Sequence, residues 1–119
     1  MTSILLAIAI FSTRYEVDPA FMCEVMRRES AYNQFAIGDV GCPTGPSLGY
    51  WQFQKGTFIW AYGKVYGGTP RPGAEFDVMI STECAAWLMS EGYSHWWTAG
   101  KQMISEGWVY VSRNANYDT

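Results

Sequence analysis

The sequence predicts a mainly α-helical single domain over residues 1–119, with a cleft beside a Gly/Pro-rich loop or short hairpin. Three observations predict it. Apolar residues recur at helical spacing in five segments, an Asp18-Pro19 pair marks a helix start, and Gly and Pro gather in two stretches, 34–50 and 63–73. No repeat, low-complexity tract or linker divides the chain.

Residues 3–14 form the first predicted helix, built on the run Ile4-Leu5-Leu6-Ala7-Ile8-Ala9-Ile10-Phe11. That run is far shorter than the ~20 residues that span a bilayer. It also lacks the basic leader and small-residue cleavage site of a signal peptide. A buried first helix is the reading, and the chain is then a domain or a protein exported by other means. Asp18 as N-cap and Pro19 at the first helical position start the second helix. It runs to about Ala31 and turns Phe21, Met22, Val25 and Met26 inward. Residues 34–50 hold Gly38, Gly41, Pro43, Gly45, Pro46 and Gly49, which is too broken for a helix. A helix returns over 56–62, and a second loop covers 63–73. A longer helix is expected over 76–91, with Val78 or Met79, Glu83 or Cys84, Trp87 and Leu88 as its apolar stripe. A short helix over 96–106 and an extended stretch from Trp108 to Val111 complete the chain, ahead of a polar, fraying end.

Composition excludes several classes. Apolar residues make up 49% and charged ones 16%, so the chain is neither disordered nor a coiled coil. A net charge of −3 with eight scattered basic residues argues against a nucleic-acid partner and against strong electrostatic capture of any anionic polymer. The three cysteines, Cys23, Cys42 and Cys84, allow one disulfide with a spare thiol or three buried thiols. They match no zinc spacing, and with His95 the only histidine no metal site is expected. Aromatics at 17%, including six Trp, exceed what so small a core readily buries. An aromatic-lined groove is the alternative, and indole and phenol rings suit sugars, whose C–H faces stack on them.

Glu29 is the leading candidate for chemistry. It closes a Met-rich apolar helix just ahead of a Gly/Pro loop, with Val25 and Met22 at i−4 and i−7. Such a place faces both an apolar wall and an open cleft, which raises a Glu pKa from about 4.3 towards about 6 and makes a general acid near neutrality. An approach by Arg28 would pull it back down. An isolated Glu at a helix end is ordinarily plain surface, so the decision rests on its companions.

Those companions occur in order. Tyr15-Glu16-Val17-Asp18-Pro19 leads to Glu29-Ser30-Ala31-Tyr32-Asn33; then Gly49-Tyr50-Trp51-Gln52-Phe53 is followed by Thr57, five residues beyond Gln52. The order and spacing resembles the lysozyme-like soluble lytic transglycosylase (SLT) domains, relatives of goose-type lysozyme. Those carry Y-x-V-D-P, then E-S-x-F/Y-N, then G-L-x-Q-I/F with a Thr five residues past the Gln. The resemblance covers about residues 4–97 and implies a lysozyme-like α+β fold.

What the resemblance implies for the residues is specific. Glu29 matches the single catalytic acid/base, and Ser30 the hydroxyl that orients it or the substrate. Residues 49–52 match the opposite cleft wall, where Gly49, Tyr50, Trp51 and Gln52 would meet the sugar, together with Ser47 just before them. Gly49 would let backbone approach the ligand closely. The chain departs from the pattern as well. Residues 39–46 look like an insertion carrying Cys42, and Tyr50-Trp51 replace the common Leu-Met, giving a more aromatic wall. The later A-Y-N-x-G motif, which brings a Tyr near the acid, has no evident counterpart. Tyr93 and Trp96 are the nearest aromatics to that role, and packing at a helix end explains them equally well.

The implied reaction cuts peptidoglycan glycan strands between N-acetylmuramic acid and N-acetylglucosamine, needing no cofactor. One Glu protonates the glycosidic oxygen, then draws a proton from the muramic 6-hydroxyl to leave a 1,6-anhydro end. A hydrolytic muramidase is the alternative. It would need a second carboxylate about 5–5.5 or 6.5–9.5 Å away, and Asp39 is the best candidate for it. Asp77 and Glu75 read better as caps of the long helix. A glycan-binding domain without turnover, and a structural part of a phage or secretion assembly, are readings from other classes. The expected place of action is the cell wall, whether periplasmic, extracellular or virion-associated. The partner is the glycan strand, with membership of a larger wall-penetrating assembly open.

Overall fold

A computed structural model of the chain describes residues 2–111. Five helices and one minimal hairpin follow in the order α1 (Thr2–Tyr15), α2 (Pro19–Ser30), β1 (Ile37–Gly38), β2 (Ser47–Leu48), α3 (Lys55–Tyr66), α4 (Val78–Ser90) and α5 (Thr98–Ser105). Single 3₁₀ turns, Ala74–Phe76 and Ser94–Trp96, precede α4 and α5. The architecture is mainly α with a small antiparallel β element, as the sequence predicts.

The central helix is α4. Nine of its residues, from Ser81 to Ser90, are buried, the polar Ser81, Thr82 and Glu83 among them. A helix buried on nearly all sides lies in the core rather than on it. α1 packs along it through Ile4, Ala7, Ile8 and Phe11, while Leu5 and Leu6 stay exposed, so the first helix buries one stripe and not its whole apolar run.

Glu83 binds three helices together. Its carboxylate accepts hydrogen bonds from Tyr15 (2.6 Å) and Arg14 (3.0 Å) at the end of α1, and from Tyr66 (2.7 Å) at the end of α3. Burial pushes its pKa up, but the Tyr15, Tyr66 and Arg14 hydrogen bonds outweigh that and hold the carboxyl below its ordinary range. The same contacts explain why α3 outruns its predicted end at Tyr62. Gly63 weakens a helix on propensity alone, yet Tyr66 must reach Glu83 and Val65 packs against the core. The loop expected over 63–73 therefore begins at Gly67.

α2 starts as its sequence signal predicts: the Asp18 carboxylate accepts from the Ala20 N–H at 2.8 Å, and Pro19 opens the helix. Phe21, Met22, Val25 and Met26 are all buried. The helix stops because Ala31 and then Tyr32 adopt left-handed φ values of 51° and 64°. Two consecutive non-glycine residues there cost on the order of 1–3 kcal/mol each, and they reverse the chain one residue after Ser30. Asp77 caps α4 by accepting from the Ile80 N–H, whereas Glu75 sits in the preceding 3₁₀ turn and is no cap. Val111 pairs with Val17 in an isolated bridge, tying the extended end to the entry of α2. The polar end that was expected to fray lies outside the described residues. All three thiols are free; Cys84 is buried and pushed up to about 12 by desolvation, and Cys23 and Cys42 are only partly covered. Among the described residues no helix is long and apolar enough to cross a membrane.

Candidate active site

The last turn of α2, the hairpin, the start of α3 and the entry to α5 enclose a cleft of about 500 Å³. Glu29 projects into it from α2, half-buried. Its Oε2 accepts the backbone N–H of Ala99 at 3.1 Å. Trp97, the cap residue of α5, offers no side-chain acceptor, so Glu29 supplies one from another helix. Desolvation raises the Glu29 pKa, the Ala99 N–H opposes this, and the negative charge of Asp39 adds to the rise. Arg28 does not interfere. Its guanidinium is tied to Glu24 at 2.7 Å and to Glu106 at 3.0 Å.

Asp39 lines the same cleft. It follows β1 with a left-handed φ of 53° and accepts a short hydrogen bond from the Ser47 hydroxyl on β2. The hairpin register, Gly38 opposite Ser47, places the two side by side. Gln52 lines the cleft too, also with a left-handed φ, 51°. Its amide donates to Gly49 O (3.0 Å) and Ala36 O (3.2 Å), so it braces the hairpin from within. A Cβ on Gly38 would overlap the Gln52 side-chain oxygen, so any larger residue there would displace that side chain.

The remaining expected binding residues lie elsewhere. Leu48 and Phe53 exchange two backbone hydrogen bonds of 3.0 Å, folding residues 49–52 into a tight turn that drives Tyr50 and Trp51 into the core. The Trp51 indole donates to Thr82 Oγ1, and its carbonyl accepts from the Trp97 indole at 2.7 Å. Neither ring forms the aromatic wall expected of it. Gly49 has a φ of 82°, and a Cβ there would strike the Glu75 carbonyl, so its close approach is to protein backbone. The buried Ser30 hydroxyl donates to Met26 O in its own helix, away from the Glu29 carboxylate. Tyr93 packs against Trp96, its ring tilted by 40°, beside the cleft without lining it.

Trp96, Trp97 and Thr98 supply the wall beside Glu29 instead. No motif in the sequence marks Trp97 and Thr98 as wall residues. A Cβ on Gly100 would overlap the Ser94 carbonyl, so Gly100→Ala is expected to displace the start of α5 and cost about 2 kcal/mol. Denaturant unfolding measures it; an unchanged midpoint would contradict that packing.

A family model described as the transglycosylase SLT domain matches residues 7–108. The chain belongs to that family. The matched span takes in α5 and the Trp96–Gly100 segment, beyond the limit near residue 97 that the sequence motifs reach. No curated protein and no solved structure matches the chain. Membership gives this SLT domain a lysozyme-like, glycan-cleaving role on cell-wall peptidoglycan.

Proposed function

We propose that this SLT domain is a lytic transglycosylase that cuts the β-1,4 bond between N-acetylmuramic acid and N-acetylglucosamine. The observation that carries the reading is Glu29: a half-buried carboxyl of raised pKa, held by one backbone N–H on the wall of an open cleft. A carboxyl that burial makes hold its proton more tightly than usual can give that proton to the glycosidic oxygen. The substrate's 2-acetamido oxygen bonds to C1 as the C1–O bond breaks. Glu29, now a carboxylate, takes the proton of the muramic 6-hydroxyl, whose oxygen displaces the acetamido group and closes the 1,6-anhydro ring. The proton count returns to its start with no second carboxylate. Ser47 and Gln52 are the sugar-contacting side chains of the hairpin wall. Gly49, Tyr50 and Trp51 support that wall from behind.

Asp39 favours a second reading, hydrolysis, because it shares the cleft and raises the Glu29 pKa. Mass spectrometry of digested cell wall separates the two. Anhydro ends are expected, and reducing ends would sink the transglycosylase reading. Asp39→Asn sharpens the test. If Asp39 is not the base, activity stays within about tenfold and the alkaline limb of the pH profile moves down, because a charge that raised Glu29 is gone. If it activates water, the loss is about 10²–10⁴-fold.

A further inference from the structure

Beyond the cleft, four aromatic side chains from three segments meet. Trp60 of α3 lies 5.5 Å from Trp87 of α4, 5.6 Å from Tyr93 and 5.7 Å from Trp96, centroid to centroid. The first two contacts are edge-on, so neighbouring rings hold the Trp60 indole in place. Packing alone would cover such a cluster. Yet Trp60 and Trp96 keep 39% and 49% of their surface exposed. Trp96 also lines the cleft, so the aromatic surface continues it. On α3 the cleft residue Thr57 is followed at i+3 by Trp60 and at i+7 by Lys64, a stripe about 10 Å long, the order of one disaccharide. The Lys64 ammonium stands 5.7 Å from the Trp60 ring centroid, and among the described residues no carboxylate pairs with it.

We propose that Trp96, Trp60 and Lys64 form an outer subsite for the same glycan strand, an N-acetylhexosamine ring stacking on Trp60 and a strand carboxylate meeting Lys64. This rests on the glycan-cleaving reading of the cleft and extends it to strand length and charge. The C–H face of a pyranose matches the electron-rich indole face as a cation does, only more weakly. The chain's net charge of −3 offers no general attraction for an anionic strand. A local cation beside a stacking ring provides it where it is needed.

Calorimetry on the full chain carrying Glu29→Gln, which holds strands uncleaved, tests this with neutral N-acetylglucosamine oligomers. Long oligomers are expected to bind more tightly than short ones. Adding Trp60→Ala removes that gain, a loss of roughly tenfold, and leaves short oligomers unchanged. Trp60→Phe keeps a ring and most of the gain, and thermal unfolding checks that both variants fold. Lys64→Gln leaves neutral oligomers alone and weakens muramyl fragments. A loss on fragments with stem peptide places the peptide carboxylate at Lys64, and a loss on stripped glycan places the lactyl carboxylate there. Equal loss on short and long oligomers, no loss at all, or a dimer that Trp60→Ala dissolves would each overturn the subsite. If the unmodified protein neither binds nor cuts peptidoglycan, the cleft reading falls with it. If it cuts strands and the length gain survives Trp60→Ala, only the subsite falls.

Discussion

Glu29→Gln is expected to lower peptidoglycan cleavage by about 10³-fold or more while leaving the fold intact. Glutamine keeps an oxygen for the Ala99 N–H, so the start of α5 retains its acceptor. Stability at neutral pH is expected to hold or rise. The folded-state pKa of Glu29 lies above its unfolded value, so ionisation disfavours the folded state and that penalty grows as pH rises through the folded pKa. Removing the charge removes the penalty. The wild-type pH profile follows the same sign. The acid must start protonated, so activity falls as pH rises through the raised pKa. A one-carboxylate mechanism shows that limb alone, whereas a hydrolase with Asp39 as base adds a second limb on the acid side. Undiminished cleavage by the Gln variant would remove Glu29 from the chemistry.

Glu83→Ala is expected to be the most damaging change to stability outside the apolar core. It removes the buried carboxylate on which two tyrosine hydroxyls and the half-exposed Arg14 guanidinium converge. The loss is on the order of 3–4 kcal/mol, or roughly 10–15 °C in Tm for a domain of this size. Its pH dependence runs opposite to that of Glu29. The Glu83 pKa is depressed in the folded state, so its contribution is complete above the ordinary carboxylate range and fades as pH falls through the folded value. Thermal unfolding at neutral and strongly acid pH checks this. The gap between wild type and variant must narrow in acid, and an equal gap at both would show that packing, not charge, explains it.

Local signals carried much of this fold and rather less of the site. Asp18-Pro19 and the spacing of Phe21, Met22, Val25 and Met26 determine α2 without help from distant residues, and Glu29 inherits its position from that helix. Asp39 reaches the cleft because Gly38 pairs with Ser47, whose hydroxyl donates to it. Other features depend on contacts far apart in sequence. Nothing near Gly63 announces that Tyr66 will bond to Glu83 and carry α3 a further turn. Tyr50 and Trp51 read as wall residues because they sit inside the motif. The Leu48–Phe53 pairing rotates them inward, and Thr82 and Trp97 complete their hydrogen bonds. The Trp97–Thr98 wall depends on the Ala99 N–H meeting Glu29, a contact between residues 70 apart in sequence.

The hydrogen bond from Ala99 to Glu29 makes the proton on that carboxyl and the seating of α5 reciprocal quantities. An ionised Glu29 holds the first turn of α5 more firmly than a protonated one does. By linkage, whatever presses that turn into place makes the proton easier to release, by the same free energy. The far end of α5 is anchored through Glu106 to Arg28, the residue just before the acid. Strand contacts at Trp96 to Thr98 would therefore tune the acidity of Glu29 without touching it.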